Sequence, residues 1–141
     1  MEGSRYDRLV PFAISRPTVL VVEDDAPVRQ LYRAALTSAG YAVVAVEDGV
    51  DALRRVDAET PNAVVLDLGL PRLGGLDVHR ELKARPETSN IPVVLATGTD
   101  ISHLDPKDFE CVLRKPISAE ALVTAVEDCL RRARRVVPDF T

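Results

Sequence analysis

The chain has no tryptophan, one methionine and two cysteines, and aromatic residues make up only 4 % of it. A core must therefore be built mainly from aliphatic side chains. Two cysteines rule out a disulfide-dense secreted scaffold. Cys111 and Cys129 both lie in apolar patterns and read as small core thiols in a reducing compartment. No apolar run approaches the roughly 20 residues of a membrane-spanning helix. The first residues carry Arg5, Asp7 and Arg8 and no long apolar stretch, unlike a secretory leader. The expectation is a cytoplasmic protein with no membrane partner. Neither histidine, His79 or His103, has a second His or Cys at metal-ligand spacing, so both are expected at the surface. There is no excess of basic residues: 18 Lys and Arg against 22 Asp and Glu give a formal charge of −4. That balance does not suggest direct contact with nucleic acid.

What remains is an ordinary globular composition, 46 % hydrophobic and 28 % charged over 141 residues, enough for one domain with one sizeable core. Short apolar runs alternate with helical stripes. Thr18 to Val22 is a continuous β-branched run that stops at Glu23-Asp24-Asp25. A run without polar alternation suits a strand buried on both faces, as in a parallel sheet. From Pro27 to Ala39 the apolar residues Val28, Leu31, Tyr32, Ala35 and Leu36 recur at helical spacing, with Asp25 as N-cap and Gly40 as stop. Further strands are expected at Ala42–Val46, Ala63–Asp67, Val93–Thr97 and Cys111–Arg114. Helices are expected at Gly49–Ala58, at Leu76–Ala84 and, capped by Ser118, across Ala121 to Leu130. Repeated strand–helix alternation implies a doubly wound α/β fold, a parallel sheet with helices on both faces and its ligand site at the carboxyl ends of the strands. The expected organisation is an N-terminal extension over 1–16, the domain over 17–132 and a tail over 133–141. Within the extension, Leu9 to Ile14 is apolar enough to dock on another surface.

The strand ends carry the chemistry. Glu23, Asp24 and Asp25 follow the first strand, Asp67 ends the third, Thr97 ends the fourth, and the fifth runs into Lys115-Pro116. Singly, each has a bland explanation: an acidic triplet caps a helix, an Asp forms a turn, a Lys is solvated. Together they place carboxylates, a hydroxyl and an ammonium on one sheet edge. Crowded carboxylates need a cation to balance them, and hard oxygen donors with open positions suit Mg²⁺. An ionised Asp is a competent nucleophile toward phosphorus, and phosphoryl transfer is mostly positioning and charge neutralisation.

Val21-Val22-Glu23-Asp24-Asp25, Val64-Val65-Leu66-Asp67-Leu68-Gly69-Leu70-Pro71, Val93-Val94-Leu95-Ala96-Thr97-Gly98 and Lys115-Pro116 together resemble the receiver domain of two-component response regulators. The likeness covers about residues 17–132. It implies a flavodoxin-like, five-stranded parallel sheet in the order 2-1-3-4-5. By that resemblance Glu23 and Asp24 are the acidic pair for Mg²⁺, Asp67 is the phosphoacceptor, and the main-chain carbonyl of Gly69 is a further metal ligand. Thr97 is then the switch hydroxyl and Lys115 the family's lysine, before a cis bond to Pro116. The implied partners are a sensor histidine kinase or histidine phosphotransfer protein upstream and an unspecified protein downstream. The implied role is a phosphorylation switch that promotes its own phosphorylation and dephosphorylation, not a metabolic enzyme. A stand-alone, mostly monomeric receiver is expected.

Four positions depart from the family pattern. Gly98 replaces a small alanine, Val112 stands where a switch Tyr or Phe is usual, and Gly69 offers no side chain beside Asp67. The stretch from Thr97 to Lys115 is about one helical turn short, so a shortened or irregular fourth helix is expected. Two other readings compete. An aspartate-nucleophile phosphatase would carry a second Asp two residues after the first, where this chain has Gly69. An unphosphorylated module with the same fold would not need Glu23, Asp24, Asp67, Thr97 and Lys115 together.

Overall fold

β-branched runs flanked by turn residues become five strands: β1 (Thr18–Val22), β2 (Ala42–Val46), β3 (Ala63–Leu66), β4 (Val93–Thr97) and β5 (Cys111–Arg114). The structure is a computed structural model, which describes residues 16–98 and 100–135. All strands are parallel, in the order β2-β1-β3-β4-β5. Between them run α1 (Ala26–Ser38), α2 (Gly49–Ala58) and α3 (Gly75–Ala84), and α4 (Ala119–Arg135) follows β5. The fold and strand order are those expected. The apolar stretch Leu9 to Ile14 lies outside the described residues.

Alternate residues of each strand feed two separate cores. Val19, Val21, Val65, Val94 and Ala96 pack against α1 and α4, through Tyr32, Leu36, Leu122, Val126 and Cys129. Leu20, Val22, Val64, Leu66, Val93 and Leu95 face α2 and α3, through Ala52, Val56, Val78 and Leu82. Burying each Val or Leu side chain contributes about 1.5–3 kcal/mol, and these layers fix the strand ends in one plane.

The helices start where their caps allow. Asp25 accepts from the Val28 amide at 3.4 Å, Asp48 from the Asp51 amide at 2.9 Å and Ser118 from the Ala121 amide at 3.0 Å. After α1, Gly40 takes a φ of 104°, which a side chain would resist. Leu31, expected in the α1 stripe, instead faces outward with 48 % of its surface exposed. Its neighbours Tyr32 and Leu36 carry the packing. Between β4 and β5 the described residues hold a single 3-10 turn, Pro106–Asp108, in keeping with the short or irregular fourth helix expected there. The last helix continues to Arg135.

His79 corrects an expectation. It lies on α3, but it is only 8 % exposed and stacks on Phe109, with ring centroids 4.7 Å apart. Phe109, in the irregular segment before β5, lies tilted against the imidazole on α3. His103 is exposed, as expected.

Candidate functional site

The carboxyl ends of β1, β3 and β4 and the residue after β5 meet. Glu23 follows β1 with 1 % of its surface exposed, and Asp67 follows β3 nearly as buried. Lys115 bridges them: its Nζ lies 2.6 Å from Glu23 Oε1 and 3.4 Å from Asp67 Oδ2. Asp24, beside them, is exposed. Glu23, Asp24 and Asp67 each offer a carboxylate oxygen, and these oxygens lie within 4.8 Å of one another. Gly69 is exposed on the loop after β3, and its amide donates to Asp67 Oδ1 at 3.2 Å. Thr97 is fully buried at the end of β4, and its carbonyl accepts from the Lys115 amide at 3.0 Å. The bond from Lys115 to Pro116 is cis.

Burial pushes the Glu23 carboxyl above its ordinary range, with Lys115 and the Asp25 amide pulling the other way. For Lys115, burial opposes the ammonium, but the hydrogen bond to Glu23 and the fields of Asp67 and Glu23 outweigh it. Its pKa is therefore raised and it stays charged. One ammonium against three carboxylates leaves the cluster acid-rich. Its donors are all hard oxygens, so the residues fit a divalent cation of the Mg²⁺ type better than a soft metal.

Two supports were not read from the sequence. The Arg29 guanidinium donates to the carbonyls of Glu23 at 2.9 Å and Asp24 at 3.3 Å, clamping the acidic turn from α1. Arg72 pairs with Asp48 across the neighbouring loop. The first contact reaches from helix α1 back to the turn before it and the second joins two loops, and no periodicity signals either. Asp48 was legible only as a residue before a helix.

The family model for the response regulator receiver domain matches residues 19–127. The chain belongs to the response regulator receiver domain family. Response regulator MprA of Mycobacterium ulcerans is 36 % identical over 121 residues, covering 82 % of this chain and 51 % of that protein. The chain thus spans about half the length of the curated relatives it matches. Among solved structures, a signal receiver domain from Vibrio parahaemolyticus is 32 % identical with a TM-score of 0.77, covering 86 % of this chain and 95 % of that one. The signal receiver domain of a signal transduction histidine kinase from Syntrophus aciditrophicus is 25 % identical with a TM-score of 0.75, covering 89 % and 98 %.

The chain is therefore a receiver domain of two-component signalling, a switch by family. No helix among its described residues is long and apolar enough to cross a membrane. Of its departures from the family pattern, Gly69 stands beside Asp67 in the acidic cluster, while Gly98 and Val112 lie on the β4–β5 side. Gly98 has open space, with only the Lys115 β-carbon at ordinary contact distance from where its own Cβ would lie. Val112 packs half-buried at the edge of the α2–α3 core.

Proposed function

We propose that this receiver takes a phosphoryl group onto Asp67 from a phosphohistidine of a sensor kinase or phosphotransfer protein in the cytoplasm, and thereby alters its binding to a downstream protein. The observation that carries this reading is the half-buried Lys115 ammonium held against both Glu23 and Asp67, with Asp24 alongside. A carboxylate oxygen of Asp67 attacks phosphorus, the P–N bond to the donor imidazole breaks, and its electron pair returns to the ring nitrogen. Lys115 stands ready to pair with the charge that arrives on the phosphoryl oxygens. Thr97 supplies a hydroxyl at the end of β4 for hydrogen bonding to one of them. Mg²⁺, held by Glu23, Asp24, Asp67 and the Gly69 carbonyl, would neutralise the transferred oxygens. The same groups serve hydrolysis of the acyl phosphate, so the domain promotes both its phosphorylation and its dephosphorylation. Gly69 supplies no side-chain acid or base to hasten that loss.

Acetyl phosphate with Mg²⁺, followed by intact-mass measurement, should add one phosphoryl group to the chain. Asp67→Asn should abolish the added mass, and omitting Mg²⁺ should suppress it. Undiminished labelling of Asp67→Asn would overturn the assignment. Turnover of many equivalents of a phosphomonoester would instead revive a phosphatase.

A further inference from the structure

Arg72 sits in the loop between β3 and α3 with a left-handed φ of 64°, a conformation that a non-glycine residue holds only when its surroundings impose it. Its side chain shows what imposes it. Nε and Nη2 donate to Asp48 Oδ2 at 3.0 and 2.7 Å, and Nη2 also approaches Asp51 Oδ1 at 3.5 Å. Asp48 is buried, and its other oxygen caps α2 through the Asp51 amide. Both carboxylate oxygens are committed, so Asp48 cannot follow a moving Arg72 without uncapping the helix.

The loop is pinned at three points. At its far end, Gly75 lies so close beneath the Asp67 carbonyl that a Cβ would collide with it, and its amide donates to the Leu68 carbonyl at 3.3 Å. The Leu73 carbonyl lies equally close over Gly49, at the start of α2. Arg72 is the third point. Gly69 belongs to the same loop, yet nothing lies within 4 Å of where its Cβ would be. Its amide's bond to Asp67 ties it to the site, and the open space beside it leaves its place to be set by the loop's anchors.

We propose that the Arg72–Asp48 pair is a positioning clamp for the cation site: by anchoring the loop to α2 it fixes where the Gly69 carbonyl stands relative to Glu23, Asp24 and Asp67. This rests on the proposed Mg²⁺-assisted phosphoryl transfer and adds two residues that act through Gly69 without touching the ion. A planar guanidinium making two bonds to one carboxylate oxygen sets direction as well as distance, which a lysine at this position would not reproduce.

The test is Mg²⁺ titration of the full chain and of the variants Arg72→Gly, Arg72→Lys, Asp48→Asn and Asp24→Ala, with exchange of the Gly69 amide followed without metal. Arg72→Gly tolerates the left-handed backbone, and Asp48→Asn keeps an N-cap, so both should fold. Each should weaken Mg²⁺ binding about tenfold, the low end for loss of a partner behind the ligands. Arg72→Lys should recover little, and the Arg72→Gly/Asp48→Asn double variant should be no weaker than either single one. The Gly69 amide should exchange faster in both single variants. Labelling by acetyl phosphate should return toward the parent rate at saturating Mg²⁺. Unchanged Mg²⁺ affinity in Arg72→Gly and Asp48→Asn, alongside a large loss in Asp24→Ala, would overturn the clamp and leave the cation site standing. Unchanged affinity in Asp24→Ala as well would overturn the cation site itself. Additive losses in the double variant would show that the two residues act separately, against the clamp.

Discussion

The two halves of the sheet's carboxyl edge are built differently. On the β1–β3 side, three regular helices flank the strands, Asp25 and Asp48 cap two of them, and Arg29 and Arg72 tie down the two loops. On the β4–β5 side, the described residues of the connection hold one 3-10 turn, β5 is only half-buried along three of its four residues, and Arg114 at its end is exposed. Lys115 reaches the acidic cluster from this second side. It is moored through its amide to Thr97 and through its ammonium to Glu23. The contrast separates accepting a phosphoryl group from reporting it. The first needs fixed charges, and the carboxylates Glu23, Asp24 and Asp67 stand on the β1–β3 half, with Lys115 reaching across to them. By the family resemblance the second needs elements with two arrangements, and the β4–β5 half has Val112 where that resemblance implies a switch aromatic.

If the contrast is real, truncation should cost far more on the rigid side. Leu82→Ala, in the fully buried α3–sheet layer, should destabilise the domain by about 3 kcal/mol. Val112→Ala, on half-buried β5, should cost about 1 kcal/mol. Urea denaturation of both at pH 7 checks this, and equal costs would erase the difference.

Lys115 links the halves, so its removal comes next in size. Breaking a buried ion pair costs about 3–5 kcal/mol, but the Lys115 side chain is 23 % exposed and solvent screens part of that. Lys115→Met should cost about 2 kcal/mol at pH 7 without metal. Burial already raises the Glu23 pKa, and the variant removes the cation that opposes the rise. Glu23 should then take up a proton more readily in the folded state than in the unfolded chain. Stability of the variant should therefore recover toward the parent as pH falls from 7 to 5. A penalty that grows with acidity would contradict the pairing.

These contrasts also explain what could be read in advance. The strands were legible because buried parallel strands are continuous apolar runs: β2, β4 and β5 begin and end at the residues expected. The acidic cluster was legible because strand ends share one edge, so residues far apart in the chain meet by topology alone. Leu31 and His79 were not legible. Leu31 fits the helical stripe, yet α1 packs through Tyr32 and Leu36, and the stripe is wider than the contact. His79 looked like a surface residue because its cover is Phe109, brought in by an irregular segment with no periodicity.

His79 provides a smaller effect that sharpens the comparison at their seam. Its Nε2 is buried with no hydrogen-bond partner among the described residues. Burial, joined by nearby Lys83 and Arg80, lowers its pKa, while Glu110 and Asp108 pull the other way. The unfolded chain therefore takes up a proton as pH falls through the ordinary histidine range while the folded chain does not, so stability is lost below about pH 6.5. Replacing an unpaired buried nitrogen with an apolar side chain removes its desolvation cost. His79→Leu should thus be about 1 kcal/mol more stable at pH 7, with a wider margin at pH 5. Thermal melts at the two pH values check both signs, and a margin that narrows on acidification would contradict them.

The smallest expected effect is an unchanged mass in solution on activation. By family resemblance, a hydroxyl moving toward the phosphoryl group is followed by an aromatic residue on the fifth strand, which reshapes the surface used for pairing. Here Thr97 can make the first move, but Val112 sweeps little volume and its β-branched side chain has few rotamers. It also lies opposite Leu95 in the sheet register and packs at the edge of the α2–α3 core. Phosphorylation can shift a two-state equilibrium only through groups that differ between the states, and this face has fewer of them. The change should stay near Thr97 and Gly98, and the domain should sediment as a monomer with and without beryllofluoride, a phosphoryl mimic. Tight dimers that form only with beryllofluoride, and that Arg114→Glu on β5 or Glu120→Lys on α4 breaks, would show that the looser half still carries the output through its own surface.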